Sequence, residues 1–163
     1  MTNATLNFQT ASGHQVLAAA GKKYLRPGGR TATEQLLQWA DFKPGDTVLE
    51  LASSFGYSAI SLAKRYKVKV VGVEKNPDSV ARARVNIRNA GLENQIEIIE
   101  GDIFHLDKIP GKFDCVLAEA ILTMQSLRHC SLIAINSKII ICVHLRSSAV
   151  KNSYDFYIHK HFS

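Results

Sequence analysis

Apolar residues along this chain alternate between two patterns. One is a set of short, continuous runs of the kind found in parallel strands that are covered on both faces. The other has helical spacing, seen at residues 57–66 and at 77–90, where Asn76 caps the helix and Gly91 ends it. The alternation predicts an α/β fold, doubly wound around a mostly parallel sheet. The four predicted strands are residues 48–51, 69–74, 96–99 and 113–118.

The pattern is weaker towards both ends of the chain. Thr31 and Glu34 have the spacing of a capping box, which predicts a helix from Thr31 to about Ala40. Residues 138–143 are the candidate for a fifth strand. We therefore divide the chain into an N-terminal segment and loop (1–30), a ligand-binding α/β domain (31–145) and an atypical C-terminal tail (146–163).

Composition adds little to the functional picture. A length of 163 residues suits one domain, and the sequence has neither a signal-peptide pattern nor an apolar run long enough to span a membrane, so a cytoplasmic protein is expected. The net charge of +6 is spread without a basic cluster, which makes nucleic acid an improbable partner. The three cysteines lack paired spacing, and no metal site is expected.

Three acids lie at or just beyond the carboxyl ends of predicted strands, at the sheet edge where ligands of open α/β sheets bind. Glu74, after the second strand, has the position of a carboxylate that accepts both ribose hydroxyls. Asp102 is a candidate acceptor for an adenine amino group, with Ile103 beside the ring, and Glu50 either orients the following loop or contacts an ammonium group. The alternative is that an acid only caps a helix or faces solvent.

The loop after the first strand discriminates between nucleotide cofactors. A dinucleotide fingerprint needs glycine at positions 52, 54 and 57, and none of the three is glycine here. The S-adenosylmethionine variant has glycine at positions 52, 54 and 56, where the chain has Ala52, Ser54 and Gly56. The loop therefore disfavours NAD and leaves S-adenosylmethionine as the better match, with two substitutions.

Taken in order, four motifs resemble the class I S-adenosylmethionine-dependent methyltransferases, mainly those with small-molecule acceptors. They are Val48–Leu51 with Gly56, Val71–Glu74, Glu100–Asp102 and Phe113–Glu119. The resemblance implies a Rossmann-like fold and S-adenosylmethionine as cofactor. It also implies that the residues from Glu50 to Gly56, including Ala52 and Ser54, contact the methionine part. By the same resemblance Glu74 holds the ribose, Asp102 and Ile103 hold the adenine, and Glu119 lies beside the methyl donor.

The resemblance weakens after Gln125. The family continues with a turn before strand five and with closing strands six and seven, which we expect to be missing because the C-terminus is truncated or altered. An exposed sheet edge would then favour self-association. Two alternatives to an active methyltransferase stay open. One is a non-catalytic or inactive cofactor-binding domain, and the other is a basic nucleic-acid-binding protein. No catalytic residue is assigned, although His14, Tyr24 and His105 are the nearest candidates for a general base.

Overall fold

The computed structural model describes residues 13–25, 29–119, 138–142 and 156–159. Its helices and strands follow the predicted alternation. The helices are α1 (Gly13–Ala19), α2 (Gly29–Trp39), α3 (Tyr57–Tyr66), α4 (Pro77–Ala90) and a 3₁₀ helix (Ile103–Lys108). The strands are β1 (Thr47–Leu51), β2 (Lys69–Glu74), β3 (Ile96–Glu100), β4 (Cys115–Glu119), β5 (Lys138–Cys142) and β6 (Phe156–His159).

These strands form one sheet in the order β3-β2-β1-β4-β5-β6. Strands β1 to β5 are parallel to one another, and β6 is antiparallel to β5. The fold is therefore a Rossmann-like, doubly wound α/β fold with a mostly parallel sheet, as predicted. Strand order reverses between β1 and β4, so the ligand-binding crevice of this fold class lies at the carboxyl ends of these two strands.

The C-terminal part differs from the expectation. Residues 156–159 lie in the predicted atypical tail, yet they form an antiparallel strand beside β5. The prediction that both closing strands, six and seven, are missing is therefore wrong for one of them, because backbone pairing with β5 recruits a segment that has no strong local pattern. The prediction that strand seven is missing concerns residues outside the described part of the chain, which also excludes residues 120–137. Self-association through a sheet edge stays a prediction.

The start of α2 also differs from the expectation. The helix begins at Gly29, which has a φ of 53°, and not at a cap formed by Thr31. Glu34 does not close a capping box; its carboxylate pairs with Arg30 at 2.6 Å and with Arg65 of α3 at 3.2 Å. The acid three residues after Thr31 therefore joins α2 to α3, and the capping-box prediction is wrong.

The two faces of the sheet carry separate hydrophobic clusters. On one face, side chains of α2, α3 and α4 pack against Val48, Val70 and Leu117. On the other, Leu49, Val73 and their neighbours pack with residues of the 3₁₀ helix. Because side chains alternate along a strand, β1, β2 and β4 each contribute to both clusters. Among the described residues, no helix is long and apolar enough to cross a membrane.

Candidate functional site

Acidic side chains collect at the carboxyl edge of the sheet. Glu50 and Glu119 occupy neighbouring strands at the point where strand order reverses. Glu50 pairs in register with Leu117, two residues before Glu119. Because Leu117 faces α2 and α3, the alternation places Glu50 and Glu119 on that same face. The other acids of this edge are Glu74, Glu100 and Asp102. Five carboxylates therefore lie at this edge, one of which, that of Asp102, pairs with the Lys75 ammonium.

The loop between β1 and α3 alternates in backbone conformation. Ala52, Ser54 and Gly56 have positive φ values of 54°, 51° and 75°, whereas the intervening Ser53 and Phe55 are buried. The three left-handed positions coincide with the three glycine positions of the S-adenosylmethionine loop. The loop therefore keeps the shape of a glycine-rich turn even though two of its residues carry a Cβ, a conformation that costs about 1–2 kcal/mol for each non-glycine residue.

Hydrogen bonds from three directions hold this loop. The Ser53 amide donates to the Val73 carbonyl at 3.0 Å, which ties the loop to β2. The Asn86 side chain of α4 donates to the Phe55 carbonyl at 2.9 Å. The Ser53 hydroxyl donates to the carboxylate of Glu50 at 2.5 Å. Of the two roles considered for Glu50, the described contact is the one that orients the loop.

Glu74 is anchored from both sides of its carboxylate. Its Oε2 accepts the Ser54 amide at 2.8 Å, and its Oε1 accepts the Asn76 amide at 2.9 Å. Each carboxylate oxygen has two acceptor positions, so each keeps one for a further donor. The half-buried carboxylate is thus held at the end of β2 by two backbone amides.

Asp102 has structural partners of its own. Its Oδ1 accepts the Phe104 amide at 3.1 Å and caps the 3₁₀ helix, while its Oδ2 lies 2.8 Å from the Lys75 ammonium. The Lys75 hydrogen bond, followed by the Phe104 amide, lowers the pKa of this carboxyl group. Asp102 therefore caps a helix, as its alternative interpretation stated. Ile103 packs with the cluster behind it and is half-buried.

Glu119 ends β4, one residue beyond the predicted strand. Its Oε1 accepts the hydroxyl of Thr33 in α2 at 2.7 Å. Thr33 is 1% exposed, and its hydroxyl also lies 3.1 Å from the Gly29 carbonyl of its own helix. The contact joins residues that are 86 positions apart, so α2 reaches the crevice between β1 and β4.

The structure describes the side chains of two of the three candidates for a general base. His105 is exposed and lies in the 3₁₀ helix, whereas half-buried Tyr24 has its ring centroid 6.2 Å from that of Tyr57 in α3. The side chain of His14 lies outside the described part of the chain. No catalytic residue is assigned from these positions.

A model of the methyltransferase domain family matches residues 42–149. The chain belongs to that family. The match begins before β1 and continues past Gln125 to include β5, so the family resemblance reaches further than the motifs alone indicated. Solved structures of S-adenosylmethionine-dependent methyltransferases share the fold, which is that of the class I enzymes.

Two curated proteins are similar to this chain over part of its length. The chain is 38% identical over 112 residues to an uncharacterised protein of Haemophilus influenzae, covering 69% of this chain and 45% of the relative. It is 35% identical over 81 residues to a protein-L-isoaspartate O-methyltransferase of Pyrococcus horikoshii, covering 47% of this chain and 36% of that protein. The chain thus spans less than half the length of these curated relatives.

Two solved structures illustrate the shared fold. An RNA methyltransferase of Salinibacter ruber, in complex with S-adenosyl-L-homocysteine, superposes with a TM-score of 0.60 at 23% identity, covering 80% of this chain and 86% of that one. A methyltransferase of Thiobacillus denitrificans with the same ligand gives 0.61 at 16% identity, covering 78% and 53%. A cofactor of the S-adenosylmethionine type follows from membership of the family.

The left-handed loop residues lead to a stability prediction. We expect Ala52→Gly and Ser54→Gly each to raise the free energy of unfolding by about 0.5–1 kcal/mol, because relief of the positive-φ strain exceeds the entropy that glycine adds to the unfolded chain. Urea unfolding measures the change. Ala81→Gly, at an exposed position inside α4, is the matched control and should destabilise by about 1 kcal/mol. A loss of stability at position 52 equal to that at position 81 would contradict the prediction.

The sequence assigned no individual role to three residues of this region. Gly72 lies in β2, and a Cβ there would stand 2.5 Å from the Ser53 hydroxyl oxygen and 2.6 Å from Ile98 Cδ1. A glycine inside an apolar strand often marks such a close approach, and this signal was available in the sequence. Ser53 and Thr33 gave no comparable local signal, because their partners lie on other elements of the fold.

Proposed function

We propose that this chain binds S-adenosylmethionine at the carboxyl edge of β1, β2 and β4 and transfers its methyl group to a small-molecule acceptor. The observation that carries the proposal is the combination of the glycine-like loop with the anchored Glu74. Together they would supply a close backbone approach and, directly beside it, a rigid acceptor for the ribose.

The charge of the site supports this cofactor over a dinucleotide. S-adenosylmethionine carries a sulfonium and an ammonium group, and lacks the pyrophosphate that makes dinucleotides strongly anionic. Glu50 and Glu119 lie on one face of neighbouring strands, where two carboxylates favour an ammonium group and disfavour a phosphate. The ammonium group of the methionine part is therefore assigned to this pair.

The chain's contribution to the reaction is alignment and exclusion of water. When bound, the cofactor would supply an electrophilic methyl carbon for in-line attack by a lone pair of the acceptor, with the thioether S-adenosylhomocysteine as the leaving group. In such a displacement the protein gains rate mainly by holding the reactants in the reactive geometry. The loop from Ala52 to Gly56 and the carboxylates of Glu74 and Glu119 hold the donor side.

The acidic edge also bears on the acceptor. A nucleic-acid substrate would bring phosphates close to Glu50, Glu100 and Glu119, and the like charges would repel. Relatives that are RNA methyltransferases show that the family includes such acceptors. The charge at this crevice favours a small neutral or cationic acceptor instead.

Calorimetry with S-adenosylhomocysteine tests the cofactor assignment. We expect a single binding site with micromolar affinity, typical of a specific small-ligand pocket. Absence of binding by both S-adenosylhomocysteine and S-adenosylmethionine would refute the proposal. Transfer of a labelled methyl group, screened over small amines, hydroxyl compounds, peptides and RNA, then tests the acceptor class. Labelling of RNA alone would refute the small-molecule assignment, and binding without any transfer would support a cofactor-binding domain that is not catalytic.

A further inference from the structure

We infer that Thr33 is a positioning residue, which orients the Glu119 carboxylate towards the ammonium group of the cofactor. The inference rests on the proposed function and goes beyond it, because it assigns a role at the site to α2. In the described residues, α2 precedes β1, and it is absent from every motif that identified the cofactor site.

The Thr33 hydroxyl has two acceptors within reach. A threonine inside a helix commonly donates to the carbonyl four residues earlier, and for Thr33 the Gly29 carbonyl is within reach at 3.1 Å. The contact with Glu119 is shorter, at 2.7 Å, and its acceptor is a carboxylate. Hydrogen bonds to charged acceptors are shorter and stronger than those between neutral groups, so the hydroxyl proton belongs to the Glu119 bond.

Burial restricts the movement of both side chains. Thr33 is 1% exposed, and Glu119 is half-buried at the strand end. Leu36 and Leu37, one turn further along α2, are fully buried in the cluster that packs on this face of the sheet. The helix therefore holds the hydroxyl in a fixed position, and the hydroxyl in turn restricts the rotamers open to the carboxylate.

Glu119 ends β4 beside β1 in the sheet. It lies on the same face as Glu50, at the reversal of strand order, and extends two residues further towards the crevice in register. Ser53 holds Glu50 by a hydroxyl-to-carboxylate bond at 2.5 Å. Each carboxylate of the pair thus accepts a hydroxyl, Glu50 from Ser53 of the following loop and Glu119 from Thr33 of α2.

The test compares two ligands that differ in the amino-acid part. S-adenosylhomocysteine carries the ammonium group, and 5′-methylthioadenosine has the same nucleoside without it. We expect Thr33→Val, which keeps the shape of the side chain, to weaken binding of S-adenosylhomocysteine about tenfold, the effect of one lost charge-assisted hydrogen bond. Binding of 5′-methylthioadenosine should change less than about twofold. Thr33→Ser keeps the hydroxyl and should restore the affinity for S-adenosylhomocysteine.

Two outcomes with the Thr33→Val variant overturn the inference. One is an equal loss for both ligands, which would indicate a general structural role of Thr33, and the other is no loss for either. Glu119→Gln gives an independent measurement if the valine variant is poorly folded: unchanged affinity for S-adenosylhomocysteine in that variant also overturns the inference. In a Glu119→Gln background, Thr33→Val should have no further effect on this affinity. Failure of the proposed function is a separate result, since the unmodified chain would then bind neither ligand.

Discussion

Replacing Glu74 with alanine is expected to lower the affinity for S-adenosylhomocysteine by about a hundredfold or more. The two ribose hydroxyls are assigned to the two carboxylate oxygens, and hydrogen bonds to a charged acceptor contribute about 1.5–3 kcal/mol each. Two of them together amount to at least about a hundredfold in affinity. Calorimetry at neutral pH measures the loss.

Because Glu74 also accepts the amides of Ser54 and Asn76, its removal disturbs the loop as well. Glu74→Gln separates the two effects: it keeps the shape and one acceptor oxygen, and should lose about tenfold in affinity. Glu97→Ala is the matched control, since Glu97 is an exposed acid on neighbouring β3 away from the carboxyl edge, and it should leave binding unchanged. Full affinity in Glu74→Ala would show that the ribose lies elsewhere.

Replacing Gly72 with alanine is expected to lower the free energy of unfolding by about 2–3 kcal/mol, the upper range for overpacking a core position. The added Cβ would stand 2.5 Å from the hydroxyl oxygen and 2.8 Å from the Cβ of Ser53. A hydrogen bond from the Ser53 amide to the Val73 carbonyl fixes Ser53, so this residue moves only if the loop moves with it. Urea unfolding should show the loss, and affinity for S-adenosylhomocysteine should fall in the same variant.

Two further variants test the cause of that loss. Gly101→Ala is the control, because a Cβ there would lie 3.4 Å from its nearest neighbour, an ordinary van der Waals contact, and it should cost less than about 1 kcal/mol. In a Ser53→Gly background, Gly72→Ala should destabilise less than it does alone, which a double-mutant cycle measures. Equal costs in both backgrounds would rule out Ser53 as the source of strain.

The element order and most element bounds were predictable because they depend on local patterns. Helix α3 has the predicted bounds, and α4 begins and ends at the cap and stop that Asn76 and Gly91 indicated. Continuous apolar runs also located β1, β2 and β3. The start of α2 is an exception. Thr31 and Glu34 match a capping box by spacing, but Glu34 pairs with Arg30 and Arg65 instead.

The candidate site divides in the same way. The positions of Glu50, Glu74 and Asp102 followed from their places after apolar runs, and the resemblance to the family added Glu119. Their role in binding a cofactor stays a prediction, although their hydrogen-bond partners are now known. The partners were not predictable, because Ser54 and Glu74 belong to different elements, and the sequence does not specify which amide faces which carboxylate.

The sequence by itself determined the fold class, the order of its elements and the family, since each depends on short-range periodicity and on motifs in a fixed order. Only the tertiary structure decided how Ala52 and Ser54 are accommodated: packing of Ser53 and Phe55 into the core holds both residues at positive φ. It also decided the contact of Thr33 with Glu119 and the pairing of β6 with β5. The physical reason is common to all three. Each depends on atoms that are distant along the chain, and the free energy that fixes them comes from packing and hydrogen bonding between elements.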